Sequence, residues 1–357
     1  MNAPAGPTPN RTPTNSAARP FAALAPERDL SARVFGSVFD MLPDEANPSP
    51  MVRINRLAPA DPARFPLYAK LEWMNPFGSV KDRAAWEMIR DLEARGVVGP
   101  ASPDRNLVEP TSGNTGISLA ALASVRGYGL RAIVPSKVPE EKRVLLKVAG
   151  AQLDVVNDQM CPSPAHSASG GGEGSINLAK SYARADADHH AIPNQYENRA
   201  NVQAHIRTTG PEIWRQTGGR ITHLFTSLGT CGTVTGCATY LKSKNPNIKV
   251  IAVQPSPGHD VPGLRNTSEL DVSKLFDRSL IDEIVEIPFE LAYDRALDLA
   301  RHEGLFAGPS SGLIFEGCCR VMQRTPDAPG LAVAIFCDNV FKYVSSMLRH
   351  HPELAGE

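Results

Sequence analysis

Short apolar runs alternate with amphipathic stretches from near residue 65 to near residue 337, and this rhythm constrains the fold more than any other feature. The runs are four to seven residues long and nearly continuous, as in parallel strands that are covered on both faces. Alternating strands and helices indicate an α/β fold with parallel sheets, and this length favours two sheets over one. The predicted strands are Leu67–Leu71, Asn106–Glu109, Leu130–Pro135, Gln152–Val156, Ile221–Thr226, Lys249–Gln254, Glu283–Ile287 and Leu331–Cys337. The predicted helices are Val80–Ala94, Thr115–Arg126, Pro139–Ala149, Asn177–Ala185, Asn201–Thr217, Thr233–Asn245, Glu290–Glu303 and Ser311–Arg324.

Composition and charge argue against several functional classes. Lys and Arg number 37 and Asp and Glu number 38, so no bulk charge attracts nucleic acid or an anionic membrane. No apolar run approaches the ~20 residues of a membrane span. The six cysteines lack C-x-x-C spacing and form no coherent metal or haem ligand set with the histidines. A chain of this size also needs no disulfide framework, so the sequence predicts a protein of the reducing cytoplasm. No catalytic role is assigned to the scattered residues His166, His189, His190, His205, His223, His259 and His302.

Two segments break the α/β rhythm. Residues 1–30 are rich in Pro, Ala, Thr and Asn and lack the apolar core of a secretory signal, which predicts a disordered tail. Their Arg, Ser and Thr content leaves a transit peptide open as the alternative. The segment Cys161–Gly174 is rich in Pro, Ser and Gly and is predicted to be a mobile loop.

The first motif is Asn75–Arg83, in which a turn leads into a helix that begins near Ser79. Lys81 falls in the first turn of that helix, where unpaired amides carry partial positive charge. A neutral amine or imine is favoured there over an ammonium, as a lysine that forms a Schiff base requires. The alternative is a surface lysine beside Asp82 and Arg83.

The second motif is Glu109–Gly116, which follows a predicted strand and opens a helix. Its small residues allow a ligand close to the backbone, and free amides with Thr and Ser hydroxyls make a carboxylate site. Asn114 offers an amide that can donate to a phenolate-type oxygen. The alternative is a helix cap without a ligand.

Two further motifs also lie between a strand and a helix. Ser227–Gly236 combines glycines with Thr hydroxyls, a pattern that suits a phosphate dianion at a helix N-terminus. It matches neither the P-loop nor the dinucleotide-binding glycine pattern. In Gly308–Gly312 the Ser310 hydroxyl could hydrogen-bond a pyridine nitrogen, and a simple helix cap is the alternative.

Together and in this order, the four motifs resemble the cysteine synthase and cystathionine β-synthase family of fold-type II pyridoxal-phosphate enzymes. The resemblance runs from about Pro48 to about Leu348 and includes Gln195–Asn198 and Thr209–Ile213. It implies two doubly wound parallel-sheet domains of the tryptophan-synthase-β type, with the cofactor in the cleft between them. The implied division is a mobile, carboxylate-binding domain over 75–195 and a phosphate-binding domain over 31–74 plus 196–350.

The resemblance also implies roles for individual residues. Lys81 carries pyridoxal 5'-phosphate as an imine, Asn114 bonds the ring oxygen and Ser310 faces the pyridine nitrogen. The residues implied to hold the phosphate are Gly229, Thr230, Cys231, Gly232 and Thr233. The residues implied to bind the substrate carboxylate are Thr111, Ser112, Asn114, Thr115 and Gln195.

The activity that the resemblance implies is β-replacement on O-phosphoserine or O-acetylserine, with sulfide or a related sulfur donor, to make L-cysteine. Arg265, in a stretch that looks like the Leu-Arg-Asn segment of O-phosphoserine sulfhydrylases, could pair with a phosphate leaving group; a structural ion pair is the alternative. Other open readings are cystathionine β-synthase, an S-sulfocysteine- or diaminopropionate-type synthase, and a catalytically inactive binding protein of the same fold.

Some residues depart from the family pattern. Cys231 stands where a smaller residue is usual, and its thiol either packs or is open to oxidation. Arg199 stands where a proline is usual. The resemblance implies a homodimer, to which the segment Asp29–Leu42 is expected to contribute.

Overall fold

The computed structural model describes residues 28–29, 33–100, 102, 104–157, 174–324 and 329–356. The predicted α/β architecture is confirmed, with two main sheets and helices on both faces of the larger one. The strands are β1 (Arg28–Asp29), β2 (Val34–Phe35), β3 (Met51–Arg53), β4 (Leu67–Leu71), β5 (Asn106–Pro110), β6 (Leu130–Pro135), β7 (Gln152–Val156), β8 (His190–Ala191), β9 (His223–Ser227), β10 (Lys249–Pro255), β11 (Glu283–Ile287) and β12 (Ala332–Phe336).

The larger sheet has the strand order β11-β10-β9-β12-β4-β3, and the smaller has the order β7-β6-β5-β8. Every pair in the smaller sheet is parallel. In the larger sheet only the short edge strand β3 is antiparallel, pairing with β4. Strands β1 and β2 form a separate antiparallel pair, so Arg28–Asp29, the described part of the tail predicted over residues 1–30, is extended.

The helices are α1 (Lys81–Ala94), α2 (Asn114–Arg126), α3 (Glu140–Val148), α4 (Ser175–Ala185), α5 (Ala200–Ala204), α6 (Gly210–Gln216), α7 (Gly232–Lys244), α8 (Leu291–Asp298), α9 (Pro309–Met322) and α10 (Val344–His350). The helix predicted over Asn201–Thr217 contains a π-helical turn at His205–Thr209 between α5 and α6. A second π-helical turn, Leu299–Glu303, extends α8. In the part of the chain that the structure describes, no helix combines the length and apolar character needed to cross a bilayer.

The larger sheet is packed on both faces, which explains its continuous apolar strands. Phe225, Ile251 and Val253 belong to one buried cluster, with residues of α8 and α9. Their neighbours Leu224 and Val250 belong to another, with residues of α6 and α7. Because side chains alternate along a strand, burial on both faces favours apolar residues at most positions.

A buried ionic network ties the larger sheet to α1 and α6. The Glu212 carboxylate accepts hydrogen bonds from Lys70 Nζ at 2.6 Å and from Arg83 Nη1 at 2.5 Å. Glu72 accepts from Arg83 Nε at 2.7 Å, and all four side chains are at most 1% exposed. Burial by itself would raise the pKa of Glu72, but the charge and hydrogen bonds of Arg83 lower it to about 2.

The motif residues converge because their loops follow the carboxyl ends of parallel strands. Thr111–Gly113 follows β5 in the smaller sheet, Leu228–Cys231 follows β9, and the segment after Pro255 follows β10. In open α/β sheets such loops form the ligand crevice. The predicted loop Cys161–Gly174 lies outside the described residues except for Gly174, and the division into two domains stays a prediction.

Candidate active site

A cavity of about 450 Å³ lies where these loops meet. Of the residues expected to bind the cofactor or the substrate, Gly232 alone does not line it. The predicted residues that line the cavity are Lys81, Thr111, Ser112, Asn114, Thr115, Gln195, Gly229, Thr230, Cys231, Thr233, Arg265 and Ser310. Arg199 is exposed and lies outside the lining.

Lys81 is the first residue of α1 and is half-buried at the cavity wall. The turn before it is held from two sides. Lys342 Nζ donates to the carbonyls of Phe77 and Gly78 at 2.7 and 3.0 Å, and the Asp82 carboxylate accepts from Phe77 N at 2.7 Å. Burial raises the pKa of Asp82 to about 6 despite these hydrogen bonds. These contacts fix the direction in which the Lys81 side chain leaves the helix.

The loop before α2 is folded around the Thr111 hydroxyl. Its Oγ1 accepts from Gly113 N at 3.1 Å and from Gly116 N at 3.0 Å. Gly113 has φ +131°, a conformation that favours glycine. The loop thus presents hydroxyls and helix-start amides to the cavity, as a carboxylate site requires.

Gln195, in the segment between β8 and α5, is hydrogen-bonded to this loop. Its Oε1 accepts from Thr115 Oγ1 at 2.6 Å, and its Nε2 donates to Pro110 O at 2.8 Å. The buried Glu109 carboxylate accepts from the backbone amides of Asn194 and Gln195 at 2.8 and 3.0 Å. Burial raises the pKa of Glu109 to about 7, against the lowering effect of these hydrogen bonds.

The loop between β9 and α7 has the close packing that a phosphate site needs. A Cβ on Gly229 would lie 2.7 Å from Gly263 O, and one on Gly232 would lie 2.1 Å from Asn201 Oδ1. Only glycine therefore fits at these two positions, which bring the backbone and the α7 N-terminus to the cavity. Gly232 does not line the cavity, and a side chain there would point at Asn201.

Cys231 occupies the left-handed region, with φ +64°, at the start of α7. Its side chain is 3% exposed and packs in the cluster beneath the larger sheet. Burial raises the pKa of its thiol to about 12, which keeps it protonated and weakly nucleophilic. Of the two interpretations of Cys231, these observations support packing.

Asn114 and Ser310 line the cavity from the first turns of α2 and α9. Asn114 Nδ2 donates to Asp338 Oδ2 at 2.6 Å, and the same oxygen accepts from the Tyr343 hydroxyl. An amide nitrogen has two hydrogens, so Asn114 retains one donor for a ligand. Ser310 lies in the first turn of α9 and is 4% exposed.

Arg265 lines the cavity and is 9% exposed. Its Nη2 donates to Tyr196 Oη at 3.2 Å, and its guanidinium lies 5.3 Å from the centre of that ring. Its backbone N donates to Leu228 O at 2.9 Å. The aromatic contact and these hydrogen bonds orient the guanidinium at the cavity wall.

Sequence reasoning missed several residues of the site, namely Asp338, Tyr343 and Lys142, all of which line the cavity. Asp338 follows β12 by two residues, so its place at the carboxyl end of a central strand was the available signal. Lys142 and Tyr343 lie on helical or turn segments with no motif. His259 also lines the cavity, its Nε2 being 3.3 Å from Glu269 Oε2.

Comparisons with known proteins agree with this arrangement. Residues 42–338 match the family model described as pyridoxal-phosphate dependent enzyme. Cysteine synthase B of Salmonella typhimurium is 38% identical over 298 residues, which cover 84% of this chain and 92% of that protein. Cystathionine beta-synthase of Apis mellifera is 31% identical over 314 residues, 85% of this chain and 60% of that protein. The crystal structure of O-ureido-L-serine synthase matches with a TM-score of 0.77 and 31% identity, over 88% of this chain and 96% of that one.

Proposed function

Because the chain belongs to the pyridoxal-phosphate-dependent enzymes of the cysteine synthase type, we propose that it replaces the β-substituent of an activated serine with a sulfur nucleophile and makes L-cysteine. The donor is O-phosphoserine or O-acetylserine, and the acceptor is sulfide or a related sulfur compound. The observation that carries the proposal is the convergence on one cavity of Lys81, the loop Thr111–Thr115 (the carboxylate loop) and the loop Gly229–Thr233 (the glycine loop).

The residues present fit the cofactor. Gly229 and Gly232 have no room for a side chain, and the loop that contains them leads into the N-terminus of α7, where a phosphate is favoured. We assign the phosphate to Gly229–Thr233, the ring oxygen to Asn114 and the pyridine nitrogen to Ser310. Pyridoxal phosphate, when bound, supplies an electron sink for negative charge at the substrate Cα.

The chain's own residues handle the proton and the orientation of the substrate. Lys81 holds the cofactor, and its amine, once released, moves the proton to and from the substrate Cα as a general base and acid. The loop Thr111–Thr115, with Gln195, holds the carboxylate and so orients the Cα–H bond. Ser310 would donate a hydrogen bond from a neutral hydroxyl, whereas a carboxylate at this place would keep the pyridine nitrogen protonated and strengthen the electron withdrawal by the ring. The weaker withdrawal would favour loss of a β leaving group over transamination.

A panel of donors and acceptors tests this function. Holoenzyme is mixed with each donor and with sulfide, thiosulfate, homocysteine or glutamate, and the products are identified by mass spectrometry. We expect cysteine from sulfide as the main product. Cystathionine or diaminopropionate as the main product would replace the proposal with the corresponding synthase. No product from any pair would favour a binding protein, a reading that the intact Lys81 and glycine loop argue against.

The Arg265→Ala variant tests the donor preference. We propose that Arg265 binds the phosphate of O-phosphoserine, because the guanidinium is buried at the cavity wall and charge-assisted hydrogen bonds to phosphate are strong. The variant is expected to raise KM for O-phosphoserine about 10–100-fold and to change KM for O-acetylserine little. Steady-state kinetics with both donors measures this. Arg199→Ala, at an exposed arginine, is the matched control, and equal effects on both donors would exclude the assignment.

We also propose a cytoplasmic homodimer, in line with the resemblance of the chain to cysteine synthases. Within the segment expected to form the contact, Val34 is 62% and Met41 is 44% exposed, as apolar residues of an interface would be in a single chain. Light scattering on protein eluted from a size-exclusion column is expected to give a mass twice that of one chain. The Val34→Glu variant, which places a charge in the interface, is expected to shift the mass towards that of one chain. A monomeric wild type would exclude the dimer.

A further inference from the structure

Lys142, in the first turn of α3, is a buried lysine that faces the cavity and has no role in the function described so far. It is 1% exposed. Among the described residues its ammonium makes no hydrogen bond, and its close contact is the face of the Tyr343 ring, whose centre lies 3.8 Å from Nζ. A buried ammonium is costly unless a partner supplies hydrogen bonds, so this one is suited to receive an anion from the cavity.

The stem of Lys142 lies directly against the carboxylate loop. A Cβ built on Gly113 would be 2.5 Å from Lys142 Cδ and 3.3 Å from Cγ. The absence of a side chain at Gly113 therefore makes room for the lysine to pass beneath the loop. Its ammonium is thereby delivered to the cavity between the loop Thr111–Thr115 and Tyr343.

The charged neighbours of Lys142 are already engaged. Asp338 accepts from Asn114 and Tyr343, and Glu141 accepts from Ser345 N at 2.9 Å. Burial lowers the pKa of Lys142 to about 8, with Asp338 opposing the shift and Lys342 adding to it. The side chain is thus mostly cationic at neutral pH and lacks a carboxylate of its own within the described residues.

We infer that Lys142 binds the α-carboxylate of the amino-acid substrate, together with the hydroxyls and amides of the loop Thr111–Thr115. The inference rests on the proposed function, which requires an amino acid in this cavity. The carboxylate is favoured over the β-substituent because the lysine packs on Gly113, in the middle of the loop that offers the helix-start amides. Lys142 thereby adds a full positive charge to the neutral donors of the loop Thr111–Thr115.

A thermodynamic cycle that pairs removal of the Lys142 ammonium with removal of the substrate carboxylate tests this directly. Calorimetry measures the dissociation constants of L-serine and L-serinamide, which lacks the carboxylate charge, for holoenzyme and for Lys142→Met, which keeps the methylene stem. The preference of the wild type for serine over serinamide is expected to fall by about tenfold or more in the variant, because a hydrogen bond to a charged group is lost. Lys142→Arg is expected to retain most of the preference. Lys147→Met, at an exposed lysine of the same helix, is the control and is expected to leave it unchanged.

The outcomes separate this inference from the proposed function. Equal loss of affinity for serine and serinamide, or an unchanged preference, would show a packing role and overturn the inference. Should Lys142→Met fail to fold, Lys142→Gln is measured in the same way, and the same two results decide. Failure of the wild type to make cysteine from any donor would instead defeat the proposed function.

Discussion

The Lys81→Ala variant is expected to lose β-replacement activity by a factor of at least about 10³, because in the proposed mechanism one amine both holds the cofactor and moves the Cα proton. Its position at the first residue of α1, with the preceding turn held by Lys342 and Asp82, gives that amine a fixed direction into the cavity. Steady-state rates of cysteine formation measure the loss. Borohydride reduction followed by peptide mapping should place the covalent pyridoxyl label of the wild type on Lys81.

The cavity offers its own control for this result. Lys137 also lines it but is exposed, so Lys137→Ala is expected to keep the label on Lys81 and most of the activity. Lys142 lines the same cavity and is buried. A label on Lys142 in the wild type would contradict the assignment of Lys81 and of every role derived from it.

The Glu212→Gln variant is expected to lower the free energy of unfolding by about 3–5 kcal/mol, because it leaves buried cations without their counter-charge. Lys70 and Arg83 both donate to Glu212, and none of the three is more than 1% exposed. Urea denaturation of the holoenzyme measures the change.

The same network predicts a dependence of stability on pH. Because the pKa of Glu72 is depressed in the folded protein, the contribution of Glu72 to the free energy of unfolding is full above pH 4.5 and is lost as the pH falls towards about 2.

An exposed pair provides the comparison. Glu283→Gln removes the partner of Arg324 at a site where the two side chains are 38% and 55% exposed. Water screens such a pair, so the loss is expected to stay below about 1 kcal/mol. Similar losses in Glu212→Gln and Glu283→Gln would mean that the buried network contributes no more than a surface contact.

The eight predicted strands lie within two residues of their observed bounds, because runs rich in apolar and β-branched residues mark strands both at the edges and in the centre of a sheet. The predicted bounds of β4, β6, β7 and β11 agree with the structure. Strands β3 and β8 were not predicted, since runs of two or three residues carry no pattern of their own and depend on a neighbouring strand. The helix α10 was missed for a similar reason, being only seven residues long.

The candidate site was predictable where its chemistry lies in contiguous motifs. Each of these motifs carries a local signal, namely small or turn-forming residues just before the start of a helix. They are the turn before Lys81, the loop Thr111–Thr115 and the glycine loop. Lys142 and Tyr343 carry none, because they meet only when α3 packs near α10. The π-helical turn at His205–Thr209 was likewise invisible, although it brings His205 Nε2 to 3.2 Å from Thr233 Oγ1.

The buried carboxylate of Glu109 has a mechanical consequence. By accepting from the amides of Asn194 and Gln195, it clamps the strand β5 to the segment before α5, while Gln195 and Thr115 complete the link. These contacts join the loop Thr111–Thr115 and the segment of Gln195 into a single piece. Any closing of the cleft around an amino acid would therefore have to move this piece as a whole, and the displacement would fall on weaker contacts such as that of Glu141 with Ser345.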